Sequence, residues 1–114
     1  MKENMNRLWL VLLFALTCFA QQVSVLATLP DITGTGAAVA LTPGTHTYAR
    51  WIQISCPVGN AGVVYWGDSN VSASRGASIS AGGGKFIPYG VNDLSTIYVF
   101  ATTGDIVKVT YQVY

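Results

Sequence analysis

HTYARWIQISCPVGNAGVVYWG, residues 46–67, is the stretch on which the fold turns. Within it Ile52, Ile54 and Cys56 alternate with Trp51, Gln53 and Ser55. That is the period of two expected of a strand with one buried face. Pro57 has no N–H to donate and ends the ladder. Asn60-Ala61-Gly62 has the chemistry of a hairpin turn with a positive φ at glycine. It predicts that VVYWG, residues 63–67, runs back against Ile52–Cys56. Trp51 and Trp66 would then be neighbours on the face opposite Ile52 and Ile54.

Outward from this stretch the chain keeps the same grammar of short β-favouring runs cut by glycine, serine and threonine. GAAVAL (36–41) ends at the Pro43-Gly44 turn, and GASIS (76–80) and GKFIPYG (84–90) flank the triplet Gly82-Gly83-Gly84. IYVFA (97–101) turns at Thr103-Gly104-Asp105 into IVKVTYQVY (106–114). That final hairpin would put Val107, Val109, Tyr111 and Val113 on an apolar face and Lys108, Thr110 and Gln112 on a wet one. DSNVSASRG (68–76) reads as a strand-to-strand corner: its Ser and Asn groups satisfy backbone locally, and Gly76 is expected at positive φ. No helical periodicity appears beyond the N-terminus. The expectation is an all-β protein, a small antiparallel β-sandwich or jelly-roll-like domain of six to seven strands preceded by an apolar N-terminal segment.

That segment has its own signature. MKENMNR places Lys2 and Arg7 ahead of the apolar run Leu8–Ala20, and Gln21-Gln22 end it abruptly. A basic start, a short apolar stretch and small residues at Cys18 and Ala20 read as a secretory signal over residues 1–20, cut after Ala20, with a second candidate cut after Ala27; an uncleaved hydrophobic anchor or a packed N-terminal helix is the alternative. The run is shorter than the roughly 20 apolar residues that a spanning helix needs. Leu16-Thr17 ahead of Cys18 lacks the small residue that lipid attachment requires. Residues 21–114 then form a single domain, and contact with a membrane is expected only through the N-terminal segment.

Charge narrows the function classes. The 114-residue chain carries a formal net charge of +1. Past the signal, Arg50, Arg75, Lys85 and Lys108 balance Asp31, Asp68, Asp93 and Asp105. No basic stripe is present, so nucleic acid is not an expected partner. A surface of Ser, Thr, Gly, Asn and aromatic groups near zero charge favours association, so other subunits, including copies of itself, are.

Catalytic chemistry finds no foothold in the pattern. His46 is the only histidine, and the four mature aspartates sit one to a loop or turn; Asp31, Asp93 and Asp105, beside turns, are expected to cap backbone N–H groups. A hydrolase built on Asp68 and His46 has no paired base. Cys56, alone once the signal is cut, belongs to the apolar alternation of its strand and reads as an inert core thiol. Asp68-Ser69-Asn70 begins like a calcium loop, but no glutamate follows to close one. The chain is therefore expected to be no enzyme and to need no cofactor or metal. Aromatic groups remain as the functional resource. Trp51, Tyr65 and Trp66, with Arg75 at the corner, are the candidate contacts: they would pack on a partner subunit, be buried in a second sheet face, or stack on carbohydrate.

NAGVVYWGDSNVSASRGASISAGGG (60–84), followed by IYVFATTGDIVKVTY (97–111), resembles a pattern of small structural proteins of tailed phages. The elements are an Asn-x-Gly turn into a Val-Tyr-x-Gly strand, an Asn-Val-Ser-Ala-Ser-x-Gly segment, a small-residue turn and a closing hairpin. The likeness runs from Arg50 to Tyr114. It implies a β-sandwich virion component, a head-decoration, head-fibre or tail-associated subunit without catalytic residues, located in the virion. The N-terminus departs from the pattern, because such subunits assemble in the cytoplasm without a secretory signal. Export to the periplasm or exterior is the alternative location, and a secreted carbohydrate-binding module the alternative function.

Overall fold

A computed structural model describes residues 25–88 and 92–114. The signal expected over residues 1–20 and the end of GKFIPYG lie outside them. The chain is all-β, with two antiparallel sheets. Its strands are β1 (Leu26–Thr28), β2 (Ile32–Thr33), β3 (Ala38–Ala40), β4 (Tyr48–Ser55), β5 (Val64–Gly67), β6 (Ala77–Ile79), β7 (Gly84–Ile87), β8 (Asn92–Asp93), β9 (Tyr98–Phe100) and β10 (Ile106–Val113). A 3₁₀ turn, Leu94–Thr96, precedes β9. The seven runs legible in the sequence are all strands. β1, β2 and β8 are additional, and at two or three residues each they are too short to show alternation.

The first sheet has the order β1-β10-β4-β7, with β2 also on β10 and β8 also on β4. The second has the order β3-β9-β5-β6. Their facing sides supply one core: Ile52, Ile54, Val107 and Val109 from the first sheet meet Val64, Ile79 and Val99 from the second, with Leu41, Leu94 and Cys56 filling between. The alternation read in β4 is correct, since Ile52 and Ile54 are completely buried and Cys56 nearly so. It breaks in the first half of the strand, where Ala49 is as buried as Ile52. Between the pairs Tyr111↔Ile52 and Val113↔Ala49 the register shifts by one residue. The bulge lets both side chains point inward and leaves Arg50 and Trp51 on the outer side.

Strand partners differ from the sequence expectation in two places. β5 does not return along β4; it pairs with β6 and β9 in the other sheet. Likewise β9 pairs with β3 and β5, whereas β10 pairs with β1, β2 and β4. Both expected hairpins are crossings from one sheet to the other. Gly62 is not among the glycines with positive φ. Its constraint is space, because a Cβ there would lie 2.7 Å from Thr102 Oγ1.

The corner 68–76, by contrast, joins two consecutive strands that pair with each other, β5 and β6. Asn70 N–H donates to Asp68 Oδ1 at 2.9 Å, and Ser72 and Arg75 exchange backbone bonds of 2.8 and 3.1 Å. Gly76 has φ +125°, in line with its expected turn role. At the N-terminus, Leu26 and Ala27 pair with Gln112 and Tyr111. A cut after Ala27 would remove both from the sheet, whereas a cut after Ala20 would leave every described residue in place.

Candidate functional site

The two crossings lie side by side and are buckled together. Asn60 inserts its amide beside the start of β10, donating from Nδ2 to the Ile106 carbonyl at 2.7 Å and accepting from Ile106 N–H at 2.9 Å. Asp105, 7% exposed, accepts Ala61 N–H on Oδ1 at 3.0 Å and Gly62 N–H on Oδ2 at 2.9 Å. Buried backbone groups that two separate turns would leave open are thereby paired. The expectation that Asp105 caps backbone N–H groups holds, but the groups belong to a turn more than forty residues away. Cys56 Sγ sits under the buckle, 3.3 Å from Asn60 Nδ2, as a buried thiol. Beside it lies a groove of about 350 Å³ lined by Asp31, Asn60, Asp105 and Lys108, with the Lys108–Asp31 ion pair at 2.9 Å.

A histidine, an aspartate and a serine meet elsewhere. His46 Nδ1 lies 2.7 Å from Asp93 Oδ2 and 3.1 Å from Ser95 Oγ, while Ser95 Oγ donates to Asp93 Oδ1 at 2.8 Å. In a nucleophilic triad the carboxylate and the serine engage opposite ring nitrogens, and the histidine takes the serine proton. Here both face Nδ1, whose proton is held by the carboxylate, and the serine proton is already given to Asp93. The group is a helix cap: Asp93 accepts Ser95 N–H at 3.0 Å at the head of the 3₁₀ turn. Burial raises the Asp93 pKa, but the hydrogen bonds from Ser95 and His46 and the charge of His46 outweigh it, so the carboxyl lies below its ordinary 3.8.

The aromatic candidates divide between the two outer surfaces. Trp51 packs on Phe86 with ring centroids 5.4 Å apart, outside the first sheet. Gln53, opposite Phe86 on one side and Thr110 on the other, continues that surface. Tyr65 packs on Phe100 at 6.2 Å, outside the second sheet. Trp66 points inward and packs against the core, with its indole N–H buried and without a partner among the described residues. The expected Trp51–Trp66 face therefore does not exist, because their strands belong to different sheets. Arg75 is exposed at the corner, its guanidinium 3.9 Å from the Asp68 carboxylate. Trp51, Tyr65, Trp66 and Arg75 thus do not converge on one site.

Phe86, half exposed, is the partner that sequence reading did not single out. Its signal was the alternation Lys85-Phe86-Ile87, which sets Phe86 on the face opposite Ile87 once β7 is aligned on β4. Comparison of the chain with family models, curated proteins and solved structures finds no match.

Proposed function

We propose that the chain is a non-enzymatic structural subunit, a head or tail accessory component of a tailed-phage virion, that acts by packing against other subunits. The observation that carries this reading is the Trp51–Phe86 pair, a half-exposed apolar surface on the outer side of the first sheet. Phe86 lies on β7 itself, which ends the strand order of that sheet among the described residues. An apolar patch beside an open strand edge suits association between subunits. The resemblance of residues 50–114 to small phage structural proteins supplies the setting.

Light scattering on the full chain tests the packing, with a multimer expected for the wild type and a smaller species for Trp51→Ser combined with Phe86→Ser. Mass spectrometry of phage particles released by the source cell tests the setting. A strictly monomeric chain absent from every particle overturns the proposal.

A second reading, carbohydrate binding, is favoured by one feature of the same surface. Gln53 and Thr110 place amide and hydroxyl groups beside the aromatic pair, the mixture that stacks on sugar rings and fixes their hydroxyls. A glycan array with Trp51→Ala as control separates the readings; no binding by the wild type removes this one.

A further inference from the structure

The exposed apolar side chains are not scattered. Among the described residues, Val25, Leu26, Tyr48, Val58, Phe86, Val113 and Tyr114 are the large hydrophobic groups that face solvent. All but Val58 and Phe86 crowd one end of the first sheet. Val113 N–H donates to the Val25 carbonyl, and Tyr114 N–H to the Tyr48 carbonyl, so three strands bring these residues into one rim. Arg50 lies over the Tyr114 ring, 5.3 Å from its centroid. Singly exposed apolar groups need no explanation, but a contiguous set does.

The composition of the rim narrows what covers it. Tyrosines with aliphatic neighbours and an arginine are the side chains that settle at the boundary between hydrocarbon and headgroups, the ring sitting at headgroup depth and the cation reaching phosphate. The chain also enters the fold at this rim. The apolar run Leu8–Ala20 stops just short of Val25, and the residues between can span at most roughly 17 Å when fully extended. In the uncleaved chain, a bilayer that takes up the run lies within that distance of the rim and not of the opposite end of the sheet.

We infer that the rim formed by Val25, Leu26, Tyr48, Val113 and Tyr114, with Arg50, docks the folded domain onto a lipid surface bearing anionic headgroups. The surface differs from the Trp51–Phe86 patch, so the inference does not depend on the assembly reading. Held by this end, the domain would stand with its long strands rising from the membrane and its outer face free for lateral contacts.

The test uses the full chain with Cys18→Ser and an environment-sensitive fluorophore on Leu26→Cys, Tyr114→Cys or Val58→Cys, mixed with phosphatidylcholine–phosphatidylglycerol vesicles. Val58 follows the far end of β4 and is 82% exposed, so it serves as the distal control. The labels at 26 and 114 are expected to brighten several-fold and to be quenched by brominated lipid, with no change at 58. Failure of the chain to float with vesicles overturns the inference, as does an equal response at 58 or an aqueous signal at all three sites. Brightening at 26 and 114 without lipid also overturns it: dependence on protein concentration would assign the rim to a second copy, and independence to the chain's own N-terminal segment. Light scattering of the Trp51 and Phe86 variants without lipid reads the assembly proposal separately.

Discussion

Asn60 and Ile106, 46 positions apart, exchange two hydrogen bonds as if the asparagine side chain were one more residue of a strand. The pair ties the crossing from β4 to β5 onto the crossing from β9 to β10. Asn60→Ala leaves the Ile106 N–H and C=O without partners, at a cost of about 2–3 kcal/mol. For a domain of this size the melting temperature should fall by at least about 8 °C, readable by circular dichroism. A change within error would show that the buckle contributes nothing.

Asp105 holds the other half of the buckle through two backbone N–H groups. Asp105→Asn turns one acceptor oxygen into an amide that faces an N–H, so a loss of about 1–3 kcal/mol is expected in urea titration. Asp31→Asn alters an exposed ion pair with Lys108 and should change stability by less than about 1 kcal/mol. Equal effects of the two substitutions would contradict the structural distinction.

Two glycines separate backbone strain from steric exclusion. Gly44 has φ +72° and open space where a Cβ would sit, whereas Gly76 has φ +125° and its Cβ would lie 2.6 Å from Val71 Cγ2 and 2.8 Å from the Trp66 carbonyl oxygen. Gly44→Ala should cost about 1–2 kcal/mol from the left-handed backbone alone. Gly76→Ala should cost clearly more, or prevent folding, as judged by soluble yield and thermal melts.

Trp66 and Trp51 should respond in opposite ways. Trp66→Ala removes a side chain packed against the core and should cost about 3 kcal/mol or more. Trp66→Phe keeps most of the ring and deletes a buried N–H that has no partner among the described residues, so its cost should stay below about 1.5 kcal/mol. Trp51→Ser, on the outer surface, should leave the melting temperature nearly unchanged while altering association.

The lowered pKa of Asp93 fixes the sign of an acid effect. A carboxyl depressed in the folded state adds stability that is fully present above its ordinary value of 3.8 and is lost as the pH falls through the lower folded value. Stability should therefore decline on acidification below about pH 4 in part through this group. Asp93→Asn should flatten that part of the profile in denaturant titrations across the acid range; an unaltered profile would rule the carboxyl out as a contributor.

Strand positions were legible in β4 and β10 because eight residues are enough for a period of two to declare itself. Ile52, Ile54, Cys56, Val107 and Val109 are buried on that pattern alone. The corner 68–76 was legible for a related reason: its Asx turn and its glycine act within a few residues. Ala49 was not, because a bulge adds one residue and reverses the faces beyond it. Phe86 stood in plain view as an aromatic, yet nothing local says that its strand lies against Trp51.

Local chemistry, written in the chain order, was sufficient for the all-β class, the inward positions Ile52, Ile54, Val107 and Val109, the capping role of Asp105 and the burial of Cys56; it misassigned Trp66, which faces the core, and Val113, which is exposed. Partnership was not. Asn60-Ala61-Gly62 and Thr103-Gly104-Asp105 have the composition of tight hairpin turns, but each hands the chain to the other sheet, and they satisfy one another's backbone across the fold. A turn's residues state how sharply the chain bends. Which strand it then meets depends on burying both sheets' apolar faces at once, and that is settled only among residues far apart in sequence. Trp51 and Trp66 show the consequence: alike in composition and close in sequence, one faces solvent beside Phe86 and the other faces the core.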